Sequence, residues 1–167
     1  MSPRLIGALL LGGMCVALGF TAAGRLGLRC RLLRAFMAAL ERMRTELEVH
    51  QTPLPALLAA LERDRPELAG FFREVREHWG ADYLAFPKAW SRALESVSVT
   101  AEDRLLLGEV GRLLGRYDAE TQIQGLNRTL LTLEEQYRDA QELKKKNQQI
   151  FQVLGTAGGL AVVILLL

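Results

Sequence analysis

From Ile150 to Leu167 the chain reads IFQVLGTAGGLAVVILLL, with Gln152 as its one strongly polar side chain and no charge. A bilayer core about 30 Å thick takes roughly 20 helical residues, so this run is just long enough to cross one. Nothing polar follows Leu167, which reads as a tail anchor. Upstream, Ile123, Leu126, Leu130, Leu133, Tyr137 and Ala140 recur at steps of three and four. The polar stretch Glu142 to Gln149 joins this seam to the apolar run without a helix breaker. The expectation is one long helix, a buried seam first and a membrane span after it.

The beginning of the chain mirrors its end. Leu5 to Ala23, LIGALLLGGMCVALGFTAA, is again uncharged. A cleaved signal peptide is the competing reading. Only Arg4 precedes the run, Thr21-Ala22-Ala23 makes a poor cleavage site, and the apolar core is too long for an ordinary signal. Residues 5–23 and 150–167 are therefore read as two single transmembrane helices. Small residues at four-residue spacing (Ala8/Gly12, Gly13/Ala17, Gly155/Gly159) would let such helices approach closely. The abundance of Gly in membrane helices accounts for them equally well.

Residues 25–146 lie between the runs and are enough for one modest domain with a core of its own. The first helix is expected from about Arg25 to His50, with Leu33, Phe36, Leu40, Met43, Leu47 and His50 forming a heptad seam. Thr52 can cap a second helix with Pro53 at its first position, and Leu54, Leu57, Leu58 and Leu61 share one face. Pro66 opens a third helix with Leu68, Phe71, Phe72, Val75 and Trp79 inward, and Gly80 closes it. Pro87 starts a fourth, burying Trp90, Ala93, Leu94 and Val97. Thr100 to Asp103 resembles a capping box, with Asp where Glu or Gln is usual. The fifth helix then buries Leu106, Val110, Leu113 and Leu114. Gly115-Arg-Tyr-Asp118 separates it from the sixth, and no stretch alternates like a strand. The fold class is all-α: a six-helix bundle between two spans. The first and last seams must be buried, against each other in one chain or between protomers.

Orientation follows from charge. Arg25, Arg29, Arg31 and Arg34 follow the first run, and Lys144, Lys145 and Lys146 precede the second. Basic residues flanking spans stay cytoplasmic, so the domain should face the cytoplasm with both termini outside. Lys144 to Lys146 could also meet anionic lipid head groups. The net charge of +2 supplies no electrostatic footprint for nucleic acid.

The chain carries little recognisable chemistry. It has no CxxC, HExxH, GxGxxG or P-loop motif. His50 and His78 lie near helix ends on apolar faces and read as core or C-terminal capping residues rather than metal ligands. Glu102 and Asp103, like Glu134 and Glu135, read as solvated helix faces. No catalytic residue, cofactor or metal site is assigned, and the protein is expected not to be an enzyme. Gly115, Asp118 and Gln122 are singled out as a helix junction with Asp118 as cap, or as a contact surface for a partner.

The chain resembles the stage III sporulation protein AB family of endospore-forming bacteria along its whole length. The residues that carry the resemblance begin with Leu5-Ile-Gly-Ala-Leu-Leu and its following basic residues, then His50-Gln-Thr-Pro-Leu-Pro55, Phe71-Phe72 and Ala89-Trp90. They continue with Leu114-Gly115 followed by Asp118 and Gln122, and with the terminal run from Leu154-Gly155 to Leu166. The resemblance implies helical domains like those of the type II secretion F protein. It also implies a structural subunit of the channel complex in the mother-cell membrane facing the forespore. Its partners would be a secretion-type ATPase, stage III sporulation protein AA, other channel subunits and membrane lipid, with a homo-oligomer left open. The alternative is a membrane-anchored adaptor or regulator of another secretion-type machine.

Overall fold

A computed structural model describes the backbone at residues 3–50, 52–80, 85–114 and 117–166, and the side chains at 24–50, 52–80, 85–114 and 117–150. The described residues form α1 (Pro3–Thr45), a π-helical turn (Glu46–His50), α2 (Leu54–Asp64), a 3₁₀ turn (Pro66–Leu68), α3 (Ala69–Trp79), α4 (Phe86–Glu95), α5 (Ala101–Leu113) and α6 (Ala119–Leu166). Among them there is no strand, and no helix is long and apolar enough to cross a membrane. The side chains of the runs 5–23 and 150–167, Ile150 apart, lie outside the described residues.

The chain divides into two compact units, Arg29–Arg138 and Met1–Leu28 with Asp139–Leu167. In the second of these, Ala140 is buried, whereas Arg25, Lys145 and Lys146 are exposed and Lys144 is half-buried.

The Arg29–Arg138 unit is a helical bundle whose local punctuation is largely that of its sequence. Gly80 ends α3 in the left-handed conformation at φ +58°, which a Cβ would disfavour. Thr100 accepts from the Asp103 backbone N–H, and the Asp103 carboxylate accepts from the Thr100 N–H, completing the capping box at α5. Thr52 departs from expectation. Its hydroxyl donates to the Glu46 carboxylate at 2.6 Å, and α2 starts after Pro53 without a side-chain cap. The last turn of the first helix also loosens into π geometry and buries nothing. The seam therefore runs from Leu33 through Phe36 and Leu40 to Met43, all without exposure, and stops there. Leu47 is half-buried and His50 is exposed.

α2 packs on α3, α3 on α4 and α4 on α5. At the centre, Phe71 stands edge-on to Trp90 at 4.8 Å and to Phe36 at 5.3 Å between ring centroids, an arrangement favoured by ring quadrupoles. The Trp90 indole donates to the Leu107 carbonyl at 2.8 Å, so the ring lies on the backbone of α5. Gly111 makes room for it: a Cβ there would sit 2.5 Å from the ring.

This contact sets the inward face of α5 as Asp103, Leu107, Val110, Gly111 and Leu114. Leu106 and Leu113, expected in the core, are half-buried, as is Val97. Val110 and Leu114 are buried as the pattern predicts, whereas the inward positions Asp103 and Gly111 are not apolar and give no such signal.

The outer helices pair within the chain. Arg29 donates to the Gln136 side chain at 3.1 Å, and Arg44 to Asn127 at 3.1 Å. Rising numbers on α1 thus meet falling numbers on α6, an antiparallel packing. Leu126 and Leu133 of α6 are fully buried, while Ile123, Leu130 and Tyr137 are half-buried.

Gly111 and Gly108 offer a paired test. Ala in place of Gly gains about 1 kcal/mol in a helix interior, and nothing lies within 4 Å of a Cβ built at Gly108. Gly108→Ala should therefore raise the melting temperature. Gly111→Ala should lower it, because overpacking a rigid ring costs about 1–3 kcal/mol. Thermal unfolding followed by circular dichroism checks the opposite signs.

Candidate functional site

The junction ahead of α6 is built around Asp118. The Thr121 backbone N–H donates to one carboxylate oxygen at 3.0 Å and the Thr121 hydroxyl to the other at 2.8 Å. This is an N-cap. The two bonds, the backbone one foremost, hold the Asp118 carboxyl below its ordinary pKa. Gln122 turns inward: its side chain is buried and its amide donates to the Tyr117 carbonyl. Gln122 thereby ties the incoming chain to the first turn of α6. Gly115 lies outside the described residues. The surface that the junction presents is Asp118 together with Tyr117, which is 55% exposed. Tyr117 was not singled out in the sequence, although an aromatic between Arg116 and Asp118 is the signal for it.

The basic residues flanking the apolar runs do not form one class. Arg25, Arg31, Arg34, Lys145 and Lys146 are exposed. Arg29 is not: its side chain is only 14% accessible and makes a forked pair with Asp103, Nε to Oδ2 at 2.8 Å and Nη2 to Oδ1 at 2.9 Å. Asp103 is fully buried, not on a solvated face. Burial alone would raise its pKa, but the bonds from Arg29 and Thr100 outweigh it and hold the carboxyl below the ordinary range. Hydrogen bonding to Asp103 in turn raises Arg29 above its usual value. One carboxylate thus joins α1 to the first turn of α5, and the same guanidinium reaches Gln136 on α6.

Several other titratable groups make surface contacts. Glu62 accepts from Arg73 at 3.1 Å and from Arg76 at 2.5 Å, and these bonds lower its pKa. His78 is exposed, not in the core, and its Nδ1 donates to the Glu74 carbonyl one turn back in α3 at 2.9 Å. His50 is exposed, 3.6 Å from the Glu46 carboxylate, and takes no part in the core. Cys30 is a free, buried thiol. Among the described residues no group of three His, Cys, Asp or Glu side chains could hold a metal ion. A shallow groove of about 280 Å³ runs between α1 and α6, with Met37 and Glu41 on one side and Leu130 and Leu131 on the other.

The family model of stage III sporulation protein AB matches residues 4–167. The chain belongs to the stage III sporulation protein AB family. Its fold is also similar to that of a solved stage III sporulation protein AB, with a TM-score of 0.62. The two are 22% identical, and the likeness covers 71% of this chain and 98% of the other. At that identity the likeness bears on the fold. No curated protein matches the chain. Membership of the stage III sporulation protein AB family implies a role in sporulation.

Removing either partner of the Arg29–Asp103 pair should destabilise the bundle, because breaking a buried ion pair strands a charge and costs about 3–5 kcal/mol. Arg29→Lys should rescue only part, since an ammonium cannot match the forked geometry. A carboxyl with a depressed folded pKa stabilises above its unfolded value, near 4, and loses that contribution as pH falls through the folded value. The Tm gap between wild type and Asp103→Asn should therefore shrink below about pH 4. A gap independent of acid would refute this account.

Proposed function

We propose that the chain is a non-enzymatic structural subunit of the mother cell–forespore sporulation channel complex, needed for endospore formation. Two membrane spans, residues 5–23 and 150–167, hold its helical domain on the cytoplasmic side of the mother-cell membrane. The observation that carries the reading is a family match that runs through both uncharged ends. The helical domain is taken as a platform element like those of the type II secretion F protein. Its partners are a secretion-type ATPase (stage III sporulation protein AA) and the other channel subunits. The helix organisation supports this reading: α1 and α6 each continue unbroken from an apolar run into the bundle.

Topology is tested with single reporter cysteines in a cysteine-free chain. Glu77 is exposed and unpaired, so Glu77→Cys should resist an impermeant maleimide in intact cells and react after permeabilisation. A Cys added after Leu167 should react at once. Labelling at position 77 in intact cells would overturn the topology and, with it, contact with a cytoplasmic ATPase.

The junction is tested by co-purification with the ATPase and channel subunits. Asp118→Asn keeps an acceptor for the Thr121 N–H, and Tyr117→Ala removes an exposed ring. Both should leave Tm nearly unchanged while lowering recovery of the partners. Wild-type recovery with both variants would mean that the junction serves only the fold.

A further inference from the structure

The groove between α1 and α6 is flanked by two copies of one pattern. On α1, Arg34 stands three residues before Met37 and Glu41 four after it; on α6, Arg128 and Glu135 flank Leu131 at the same spacings. Residues three and four apart share a helix face, so each helix carries a stripe of cation, apolar residue and anion. All four charged side chains are exposed, and none has an ion-pair or side-chain hydrogen-bond partner among the described residues. Between them Leu131 is 67% exposed, and Met37 is half-buried beside it.

Because the helices are antiparallel, the stripes point in opposite senses. The bonds Arg29–Gln136 and Arg44–Asn127 bracket the register: the long arginines lean along the groove, so the midpoint between the two bonds marks the level. Midway between these rungs Met37 is level with Leu131. Stepping outward by equal rises, Arg34 lies at the height of Glu135 and Glu41 at that of Arg128 to within about one helical turn. Each cation is thus level with an anion on the neighbouring helix, across a groove that keeps them apart.

We propose that this groove seats the same groove of a second copy of the chain, about a two-fold axis parallel to α1 and α6. Such an axis brings α1 of one protomer against α6 of the other without changing heights. Arg34 then meets Glu135 of the second copy, Glu41 meets its Arg128, and Met37 and Leu131 pack between the two charge pairs. The contact is isologous, so every pair occurs twice. A perpendicular axis would also pair the charges, Arg128 with Glu135 across two α6 helices, but it would send the two copies' chain ends in opposite directions. Choosing the parallel axis therefore rests on the proposed anchoring of both copies in one membrane.

The test uses the full-length protein in membranes, with Cys15→Ala and Cys30→Ala. Two differently tagged copies are co-expressed, one carrying Met37→Cys and the other Leu131→Cys, and are joined by a short bis-maleimide. The expected product is a covalent dimer bearing both tags, several-fold more abundant than either like-with-like dimer. A Leu131-to-Leu131 product in excess, or no covalent dimer, would overturn the proposal. A second measurement keeps both native cysteines and reads recovery of one tagged copy with the other. Arg128→Glu should lower it, and adding Glu41→Arg in the same chain should restore it. A double variant as poor as the single would equally sink the charge pairing. Labelling at position 77 needs no dimer, so the topology and the pairing fail separately.

Discussion

Asp103 has to find Arg29. A carboxylate removed from water costs several kcal/mol unless its lone pairs are met. Here they are met by the forked guanidinium and the Thr100 N–H. The residue also sits in the first turn of α5, where the helix dipole favours negative charge. The same guanidinium bonds Gln136, so α1, the start of α5 and α6 meet at one point. Sliding α1 by one turn would displace the guanidinium by about 5 Å and strand the carboxylate. Apolar seams tolerate such a slip far better, because leucines one turn apart are interchangeable. The ion pair therefore supplies the register that the seams on α1 and α6 cannot.

The other side of the bundle is positioned by shape. Trp90 presses its ring against the backbone of α5, which only a residue without a Cβ permits at Gly111, and its indole N–H ends on the Leu107 carbonyl. A buried indole N–H without an acceptor would be costly, so the hydrogen bond and the close approach select the same orientation of α4 on α5. Phe71, Phe72 and Phe86 then close around the ring. α5 is thus held at its start by charge and at its middle by an aromatic contact.

These contacts explain where the sequence could be read and where it could not. Helix number, the stops at Gly80 and Pro66 and the Thr100 cap follow from local chemistry, which acts within a few residues of its signal. The α1 seam was legible down to Met43 because four fully buried positions repeat regularly. Its continuation to His50 failed because the chain turns into a π-helical segment whose Glu46 is claimed by Thr52, a pairing that no periodicity announces. On α5, Val110 and Leu114 are buried as expected, but Leu107 replaces Leu106 and Leu113 is only half-buried, since Asp103 and Gly111 point inward for reasons located on α1 and α4. Arg29 looked like its basic neighbours for the same reason: its partner lies 74 residues away in sequence. At the α6 junction the cap at Asp118 was legible, whereas the inward turn of Gln122 depended on the path of Tyr117.

α6 also sets the distance at which the unit offers its surfaces. From Asp118 to Arg138 the helix rises about 30 Å at 1.5 Å per residue, and the Gln136 contact with Arg29 lies near the far end of that length. The exposed Tyr117–Asp118 surface and the Arg29–Asp103–Gln136 contact are therefore separated by most of that length of α6. The groove between Met37 and Leu131 falls between those two points along α6, and neither Tyr117 nor Asp118 lines it. Its use by a second copy would leave the junction of each protomer free, so pairing and partner contact need not compete.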